Sequence, residues 1–544
     1  MDLLRSAAVL RASSLLILLI DCDMKFNFKK SVLALACAAV VGASLFSSAA
    51  QAALSRKPQD NLFVAVSTEP VGLDPAMVDD NYSGDVISNI YESLLAFKPG
   101  SMEVEPGLAE SWTISDDGLE YTFKLRQGVK FHDGTPFDAE AVKFNIERQM
   151  PENRTARMAY AELVYGDVAK VEVLDQYMVK ITLKQSSTPF LRNMAMLYAA
   201  PIASPTALKA NNNNLMTNPV GTGPYRLVAW DRGQQVILTT FEDYWGEKPK
   251  VQNVIFRLMK ENGARVVALN NGEVDIITGI DANVAPQITA AGNKIFQRDG
   301  NSTLYMLFNT REHEQTKDRE IRRALAQAIN TPELVKSLYK GFSSYANTYF
   351  PSFMAGYSEN TPTVTYDPEA AKKALAEKGV TKVKIIANSN ASYSNTVGGQ
   401  VLSEAVQAYL KEVGVEASIA VYDWATFKSR LMTDSWDLSF IGWNGDNGDP
   451  DNFINIFARP DANINQGLWQ NEEFNALIEQ GVHVKDGPER TKIYEEAERV
   501  LAEDVGIFPI AHAQNLLAYR PNIKNAEVHP IGLMFFKDVE KTVE

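Results

Sequence analysis

Apolar and polar residues alternate over residues 415–421, with apolar side chains at positions 415, 417, 419 and 421. This period of two predicts a half-buried strand. In the segment before it, apolar residues stand at positions 402, 406, 409, 410 and 413, which is the spacing of one helix face. Gly414 follows where such a helix should end. The pattern therefore predicts a helix followed by a strand.

Similar elements lie on both sides of this pair. Strands are predicted over 383–387 and 438–443, and a short helix over 424–432. This repeated strand–helix–strand order predicts an α/β fold with a parallel sheet. In such sheets, ligands bind in the crevice beyond the carboxyl ends of the strands. We therefore expect the loop over 444–453, which follows the last strand, to lie at a ligand site.

The N-terminal third of the chain has a different pattern. Short strand-like runs over 121–125, 171–174 and 177–183 are separated by turns and predict a β-rich lobe. Later in the chain, residues 367–369 have the capping residue, proline and acidic residue of a helix start, and Gly379 marks its end. These features are consistent with a layered α/β protein.

The acidic loop after the last predicted strand is the main candidate for chemistry. It holds Asp446, Asp449 and Asp451 among glycines and a proline, and Trp443 and Phe453 flank it. Carboxylates beside an aromatic wall can bind a positively charged group. Asp, Asn, Gly and Pro are equally the usual residues of solvated turns. The pattern alone leaves both interpretations open.

Composition narrows the class of protein. The chain has 544 residues, of which 45% are hydrophobic and 22% are charged. These values predict a globular protein of roughly two to four domains. The formal charge of −14 argues against a nucleic-acid surface, which needs a basic footprint.

The first 52 residues are predicted to contain an export signal. Translation is expected to start at Met24. Three lysines precede the apolar run over 32–46, and a small-residue cleavage site follows it. The run is shorter than the ~20 residues of a membrane-spanning helix. Cys22 and Cys37 both precede the cleavage site, so the mature chain is predicted to have no disulfide. Lipid attachment at Cys37 is the less favoured alternative, because an alanine stands three residues before it.

The common catalytic and cofactor motifs are absent from the sequence. It contains no Gly-x-Ser-x-Gly elbow, no His-Glu-x-x-His and no phosphate-binding Gly-x-x-x-x-Gly-Lys. Its five histidines are scattered, with no pair at metal-ligand spacing. The sequence thus predicts neither an enzyme nor a cofactor or metal site.

Several motifs along the mature chain resemble family 5 of the extracytoplasmic solute-binding proteins. In family order they are residues 91–94, 104–112, 119–137, 218–225, 271–275, 321–325 and 443–453. Proteins of this family are the peptide, nickel and opine receptors of ABC importers. The acidic loop most resembles that of dipeptide-binding proteins.

The resemblance implies a two-lobed periplasmic binding protein fold of the class II type with an extra inserted domain. Residues 53–90, 220–303 and 513–544 would form a discontinuous domain I, residues 91–219 the inserted domain II, and residues 304–512 domain III. It also implies a monomeric periplasmic receptor that delivers a peptide or similar amine-bearing solute to an inner-membrane ABC permease with its ATPase.

The resemblance also assigns roles to residues of the acidic loop. The aspartate that matches Asp446 binds the ligand's α-ammonium group, and the aromatic residue that matches Trp443 lines the site. Asn444 and Gly445 are expected beside them. A buried ammonium group needs a fixed opposite charge and hydrogen bonds, which Asp446 would supply. The other two aspartates of the loop are expected to cap or brace it.

The chain departs from the dipeptide-binding pattern at one position. Dipeptide receptors carry an arginine for the ligand carboxylate shortly after the strand over 383–387, where this chain has Ala391. Tyr393 nearby is either a further ligand-binding residue, through its hydroxyl or its ring, or an ordinary partly buried aromatic residue. Longer or modified peptides therefore become reasonable ligands beside free dipeptides.

The sequence leaves other functions open. Receptors for a nickel chelate, an opine, glutathione or heme are the nearest alternatives. A secreted hydrolase that uses Asp446 and Asp449 as a carboxylate pair, and a chaperone-like periplasmic protein, are less favoured. A receptor gains stability from a defined small ligand, whereas a hydrolase would convert that ligand.

Overall fold

The structure, a computed structural model, describes residues 57–389, 397–458 and 465–543. Its strands, in chain order, are β1 Asn61–Val66, β2 Leu95–Phe97, β3 Val104–Pro106, β4 Ala109–Ile114, β5 Glu120–Leu125, β6 Val168–Asp175, β7 Met178–Leu183, β8 Tyr225–Asp231, β9 Gln235–Thr240, β10 Asn253–Leu258, β11 Ile276–Ile277, β12 Lys294–Phe308, β13 Ser343–Tyr345, β14 Lys382–Asn388, β15 Glu416–Tyr422, β16 Leu438–Asn444, β17 Ile507–Tyr519, β18 Ile523–Lys524 and β19 Glu540–Lys541.

The α-helices, in chain order, are α1 Asn81–Ile87, α2 Ala139–Glu147, α3 Ala161–Tyr165, α4 Phe190–Asn193, α5 Pro205–Ala210, α6 Asn262–Asn270, α7 Ala285–Ala290, α8 Arg319–Gln327, α9 Thr331–Tyr339, α10 Pro368–Glu377, α11 Gly399–Glu412, α12 Trp424–Thr433, α13 Pro450–Ile454, α14 Glu472–His483 and α15 Pro488–Glu503. Short 3-10 turns occur at Pro58–Asp60, Gln315–Lys317 and Asn455–Phe457.

The strands form one large sheet and several small ones. The large sheet has 11 strands in the order β15-β14-β16-β12-β17-β11-β1-β10-β9-β8, with β13 paired to β17. The long strands β12 and β17 pair antiparallel, from Lys294 opposite Tyr519 to Leu307 opposite Ile507. They therefore join the β14–β16 half of the sheet to the half that holds β1.

The strand–helix–strand order predicted around the acidic loop is confirmed. β14 pairs in parallel with both β15 and β16, and α11 and α12 are the connecting helices. The predicted helix start is confirmed as well, since Asp367 accepts a hydrogen bond from the backbone of Ala370 at the start of α10. The expectation of a parallel sheet was wrong beyond these strands. β12 pairs antiparallel with β16 on one side and with β17 on the other, so the sheet is mixed.

Apolar clusters cover both faces of the β14–β16 half of the sheet. Ile385 and Ile386 are neighbours in β14 and point into different clusters, as expected for a strand that is buried on both sides. One cluster includes Leu402 of α11, and the other includes Trp436 and Phe453. The second cluster lies directly beneath the acidic loop.

The β-rich region predicted for the N-terminal third is present. β5, β6 and β7 cover the three predicted runs and belong to a four-stranded antiparallel sheet in the order β4-β5-β7-β6. This sheet lies within residues 91–219, whereas the predicted domain boundaries stay a prediction. Residues 1–52, with Met24 and Cys37, lie outside the described residues. Among the described residues, no helix is both long and apolar enough to cross a membrane.

Candidate functional site

The acidic loop begins where β16 ends beside the middle of β12. Ser302 lies opposite Asn444 in this pairing. The next residue, Gly445, donates its backbone N–H to the carbonyl of Asn301 at 2.7 Å. The side-chain amide of Asn301 donates to the carbonyl of Gly445 at 2.6 Å. These reciprocal hydrogen bonds hold the first residues of the loop against β12.

Gly445 is required because another residue approaches it closely. A Cβ atom at this position would lie 2.0 Å from Cε2 of Phe453, whose ring is fully buried in the cluster with Trp436. The prediction that Phe453 forms part of an aromatic wall is therefore wrong. Its ring is packed in the core and does not face a ligand. Trp443 is half-buried at the edge of the same cluster, and its indole N–H donates to the carbonyl of Asn452 at 2.9 Å.

Asp449 braces the loop from within. It caps α13 by accepting a hydrogen bond from the backbone N–H of Asp451. Both of its carboxylate oxygens accept from the Arg490 guanidinium, at 2.7 and 2.9 Å, and both side chains are almost fully buried. A bidentate pair of this kind fixes geometry as well as charge. Asp449 therefore holds the loop in place, as the sequence predicted for this aspartate.

Asp446 has a different environment. Its side chain is buried, and Oδ2 accepts a hydrogen bond from the Tyr160 hydroxyl at 2.7 Å. Among the described residues, no lysine, arginine or histidine forms an ion pair with it. Burial raises the pKa of Asp446 to about 7, the Tyr160 hydrogen bond lowers it, and Asp79 raises it further. Asp446 is thus a desolvated carboxyl group without a cationic partner in the described chain.

Two tyrosines from the N-terminal third lie beside Asp446. The rings of Tyr160 and Tyr198 are 5.0 Å apart. Burial, followed by the charge of Asp446, raises the pKa of both hydroxyls. The two phenols therefore stay protonated and can donate hydrogen bonds near the Asp446 carboxyl group.

The segment before α1 adds two carboxylates to this region. Asp79 forms an ion pair with Lys428 of α12 at 3.3 Å. Asp80 caps α1 by accepting from the backbone N–H of Ser83 at 2.9 Å. The next residue, Asn81, accepts a hydrogen bond from the Asn444 side chain at 3.4 Å. Residues 79–81 therefore contact the acidic loop and α12.

Of the four residues over 443–446 that were predicted for the site, Trp443 and Asn444 end β16, and Gly445 and Asp446 begin the loop. Their role in binding stays a prediction. Tyr393 and Ala391 lie outside the described residues, so their predictions are unchanged. Tyr160 and Tyr198 were not predicted from the sequence. No local pattern marks them, because their position at the site depends on contacts with residues far along the chain.

Comparison with known proteins places the chain in a family. The model of the family "Bacterial extracellular solute-binding proteins, family 5 Middle" matches residues 103–465. The chain is 30% identical to di/tripeptide-binding protein 2 of Pseudomonas aeruginosa, over 91% of this chain and 97% of that protein. It is 29% identical to heme-binding protein A of Haemophilus influenzae, over 89% of this chain and 93% of that protein.

A solved structure supports the same assignment. The ABC transporter-associated periplasmic binding protein DppA of Helicobacter pylori, in complex with the peptide STSA, superposes with a TM-score of 0.80. It is 29% identical and covers 88% of this chain and 98% of its own. The predicted periplasmic binding protein fold is thereby confirmed. The chain therefore belongs to family 5 of the bacterial extracellular solute-binding proteins and is a solute-binding receptor.

Proposed function

We propose that this receptor captures a peptide, or a similar amine-bearing solute, by its α-ammonium group and delivers it to an ABC permease with its ATPase. The observation that carries the proposal is the Asp446 carboxyl group, which is buried without a cationic partner among the described residues. The Pseudomonas relative, named as a di/tripeptide-binding protein, and the Helicobacter structure with its bound peptide support it.

The chemistry of an α-ammonium group matches this environment. A carboxylate that is removed from water is unfavourable unless a charge and hydrogen bonds compensate it. Tyr160 donates to Oδ2 and leaves Oδ1 of Asp446 for a ligand. An ammonium group supplies both a positive charge and N–H donors, and such charge-assisted hydrogen bonds are strong. Trp443 and Asn444 at the end of β16, and Gly445 at the start of the loop, would surround the bound group.

A heme or nickel ligand fits the described residues less well. Heme carries propionate carboxylates, and Asp79, Asp80 and Asp446 would repel them. Among the described residues, no group of three or more His, Cys, Asp or Glu side chains is arranged to hold a metal ion. A hydrolase with Asp446 and Asp449 as a carboxylate pair is also disfavoured, because Asp449 is held by Arg490.

The expected site of action is the periplasm, after removal of the export signal over residues 1–52. Family membership supports an extracytoplasmic receptor. The chain would act as a monomer that meets the permease in the inner membrane. Size-exclusion chromatography with light scattering tests the oligomeric state, and N-terminal sequencing of exported protein tests the cleavage site.

The proposed function is tested by the ligand that the protein carries. The exported protein is purified without denaturant, its ligand is released by unfolding, and mass spectrometry identifies it. We expect a peptide or another primary amine in the wild type, and its loss in Asp446→Asn, which keeps the side-chain shape but removes the charge. Asp116→Asn, at an exposed position, is the matched control and should retain the ligand. A ligand without an amino group, or full retention by Asp446→Asn, would contradict the proposal.

A further inference from the structure

Carboxylates outnumber cations around Asp446. Asp79 and Asp80 precede α1, and Asp79 lies close enough to Asp446 to raise its pKa. Lys428 pairs with Asp79 at 3.3 Å, and both side chains of this pair are partly exposed. Among the described residues, no other lysine or arginine pairs with these three aspartates. A ligand with one positive charge would therefore leave an excess of negative charge here.

Asp80 has an unused carboxylate oxygen that is hidden from water. Oδ1 accepts the capping hydrogen bond from Ser83, whereas Oδ2 is buried and has no hydrogen-bond partner among the described residues. Burial raises the pKa of this carboxyl group. An unpaired, desolvated carboxylate oxygen is unfavourable, and a bound cation would compensate it.

The Tyr198 hydroxyl is influenced by the charges of both Asp80 and Asp446. Its side chain is only 3% exposed, and the hydroxyl has no hydrogen-bond partner in the described part of the chain. The carboxylates of Asp446 and Asp80 both lie close enough to raise its pKa, after burial as the main cause. A buried phenol near several carboxylates, whose hydroxyl none of the described residues satisfies, points to a polar ligand.

The chemistry of the site favours an organic cation over a metal ion. The described residues contain no group of three or more side chains that could hold a metal. The Tyr160 and Tyr198 rings pack against each other with their centroids 5.0 Å apart, and an aliphatic chain can contact such an aromatic pair. A lysine or arginine side chain has such a chain and ends in a cation.

We propose that the site selects peptides whose first residue carries a second positive charge, with Asp446 holding the α-ammonium group and Asp80 the side-chain cation. The proposal deepens the proposed function and rests on it, since it assumes that Asp446 binds the α-ammonium group. It names the N-terminal residue of the ligand as the main determinant of specificity.

Calorimetry with two dipeptides tests the proposal. Lysyl-alanine and norleucyl-alanine differ by the side-chain amine and share the same aliphatic chain. We expect wild-type protein to bind lysyl-alanine at least ~10-fold more tightly, as for a desolvated charge pair. In Asp80→Asn, which retains a capping side chain, this ratio should fall to near one. Asp138→Asn replaces the capping aspartate of α2 and should keep the wild-type ratio.

Three outcomes of this calorimetry would contradict the inference in different ways. Equal affinity for the two dipeptides in the wild type overturns the second-charge inference but leaves a peptide receptor. A lysyl preference that persists in Asp80→Asn overturns the role of Asp80. Failure to bind either dipeptide overturns the inference, whereas the proposed function falls only if the ligand identified by mass spectrometry has no amino group.

Discussion

The Tyr160 hydroxyl donates to Oδ2 of Asp446 at 2.7 Å, and the two residues are 286 positions apart in the sequence. This hydrogen bond opposes the effect of burial on the pKa of the Asp446 carboxyl group. It also leaves Oδ1 as the oxygen that would bind the proposed ligand. Tyr160 therefore acts as a positioning residue that keeps Asp446 oriented and more readily ionised.

Replacing Tyr160 by phenylalanine should weaken ligand binding at about pH 7 by ~1–3 kcal/mol, the value of a hydrogen bond to a charged group. Without the donor, the pKa of Asp446 rises further and less of the carboxylate is ionised. Calorimetry across pH separates the two effects, because the loss should shrink above about pH 8. Tyr177→Phe, at a half-buried position in the same region, is the control and should bind like the wild type. Unchanged affinity in Tyr160→Phe would show that the hydrogen bond has no part in binding.

Ligand affinity should increase as pH rises through about 7, because an ammonium group binds the ionised form of Asp446. Below that pKa, we expect about a tenfold change in the dissociation constant per pH unit. His132, His512 and His529 have pKa values lowered by burial to about 4, so they stay neutral across this range. Calorimetry from about pH 5 to about pH 7.5 measures the profile, because the ligand's own α-amino group, with a pKa of ~7.7–8.0, stays mostly protonated there. A flat profile would contradict an ionised anchor.

The free energy of unfolding of the ligand-free protein should fall over the pH range in which ligand affinity rises. Because the pKa of Asp446 is raised from 3.8 to about 7, the folded state holds the proton more tightly than the unfolded chain. Between those values, the contribution of Asp446 to the free energy of unfolding therefore falls as pH rises. Buried Glu498, whose pKa is also raised to about 7, acts in the same direction.

Urea unfolding at about pH 5.5 and about pH 8 checks this contribution. Asp446→Asn should lose less stability than the wild type between the two values, and the remaining loss comes from other carboxyl groups whose pKa burial raises, among them Glu498 and Asp80. The same loss in both proteins would mean that Asp446 is already ionised at the lower pH.

Arg490→Ala should lower the free energy of unfolding by ~3–5 kcal/mol, because it leaves the buried Asp449 carboxylate unpaired. Arg499→Ala is the matched control, since Arg499 forms its ion pairs on the surface with Glu496 and Glu503. Exposed pairs of this kind contribute at most about 1 kcal/mol. Urea unfolding compares the two variants. A loss as small as that of Arg499→Ala would show that Asp449 does not depend on Arg490.

Local sequence patterns were sufficient for the part of the fold around the acidic loop. Alternation and helical spacing between residues 383 and 443 depend on neighbouring residues, so β14, α11, β15, α12 and β16 could be predicted. The antiparallel pairing of β12 with β17 could not. Residues 294–308 pair with residues about 200 positions later, and nothing in the local pattern specifies such a distant partner.

The same limit applies to the candidate site: features set by local sequence could be predicted, and those set by long-range contacts could not. The composition of the loop and its place after β16 marked it as a candidate site, and the resemblance to family 5 singled out Asp446 within it. The capping role of Asp449 followed from its position before Pro450. Tyr160 and Asp80 were missed, because their importance comes from burial and from charges that long-range folding brings near. Phe453 was expected in an aromatic wall beside the acidic loop, whereas its ring is buried in the core beneath the loop.

Asp446 as the ammonium anchor is tested most directly by a double-mutant cycle in calorimetry. The two proteins are the wild type and Asp446→Asn, and the two ligands are lysyl-alanine and its Nα-acetyl form, which lacks the α-ammonium charge. In the wild type, acetylation should weaken binding by ~2–5 kcal/mol, as for a buried charge that loses its partner. In Asp446→Asn, the penalty should fall below about 1 kcal/mol, because no charge remains to be stranded. Equal acetylation penalties in the two proteins would contradict the assignment of Asp446 as the residue that binds the ligand's amino group.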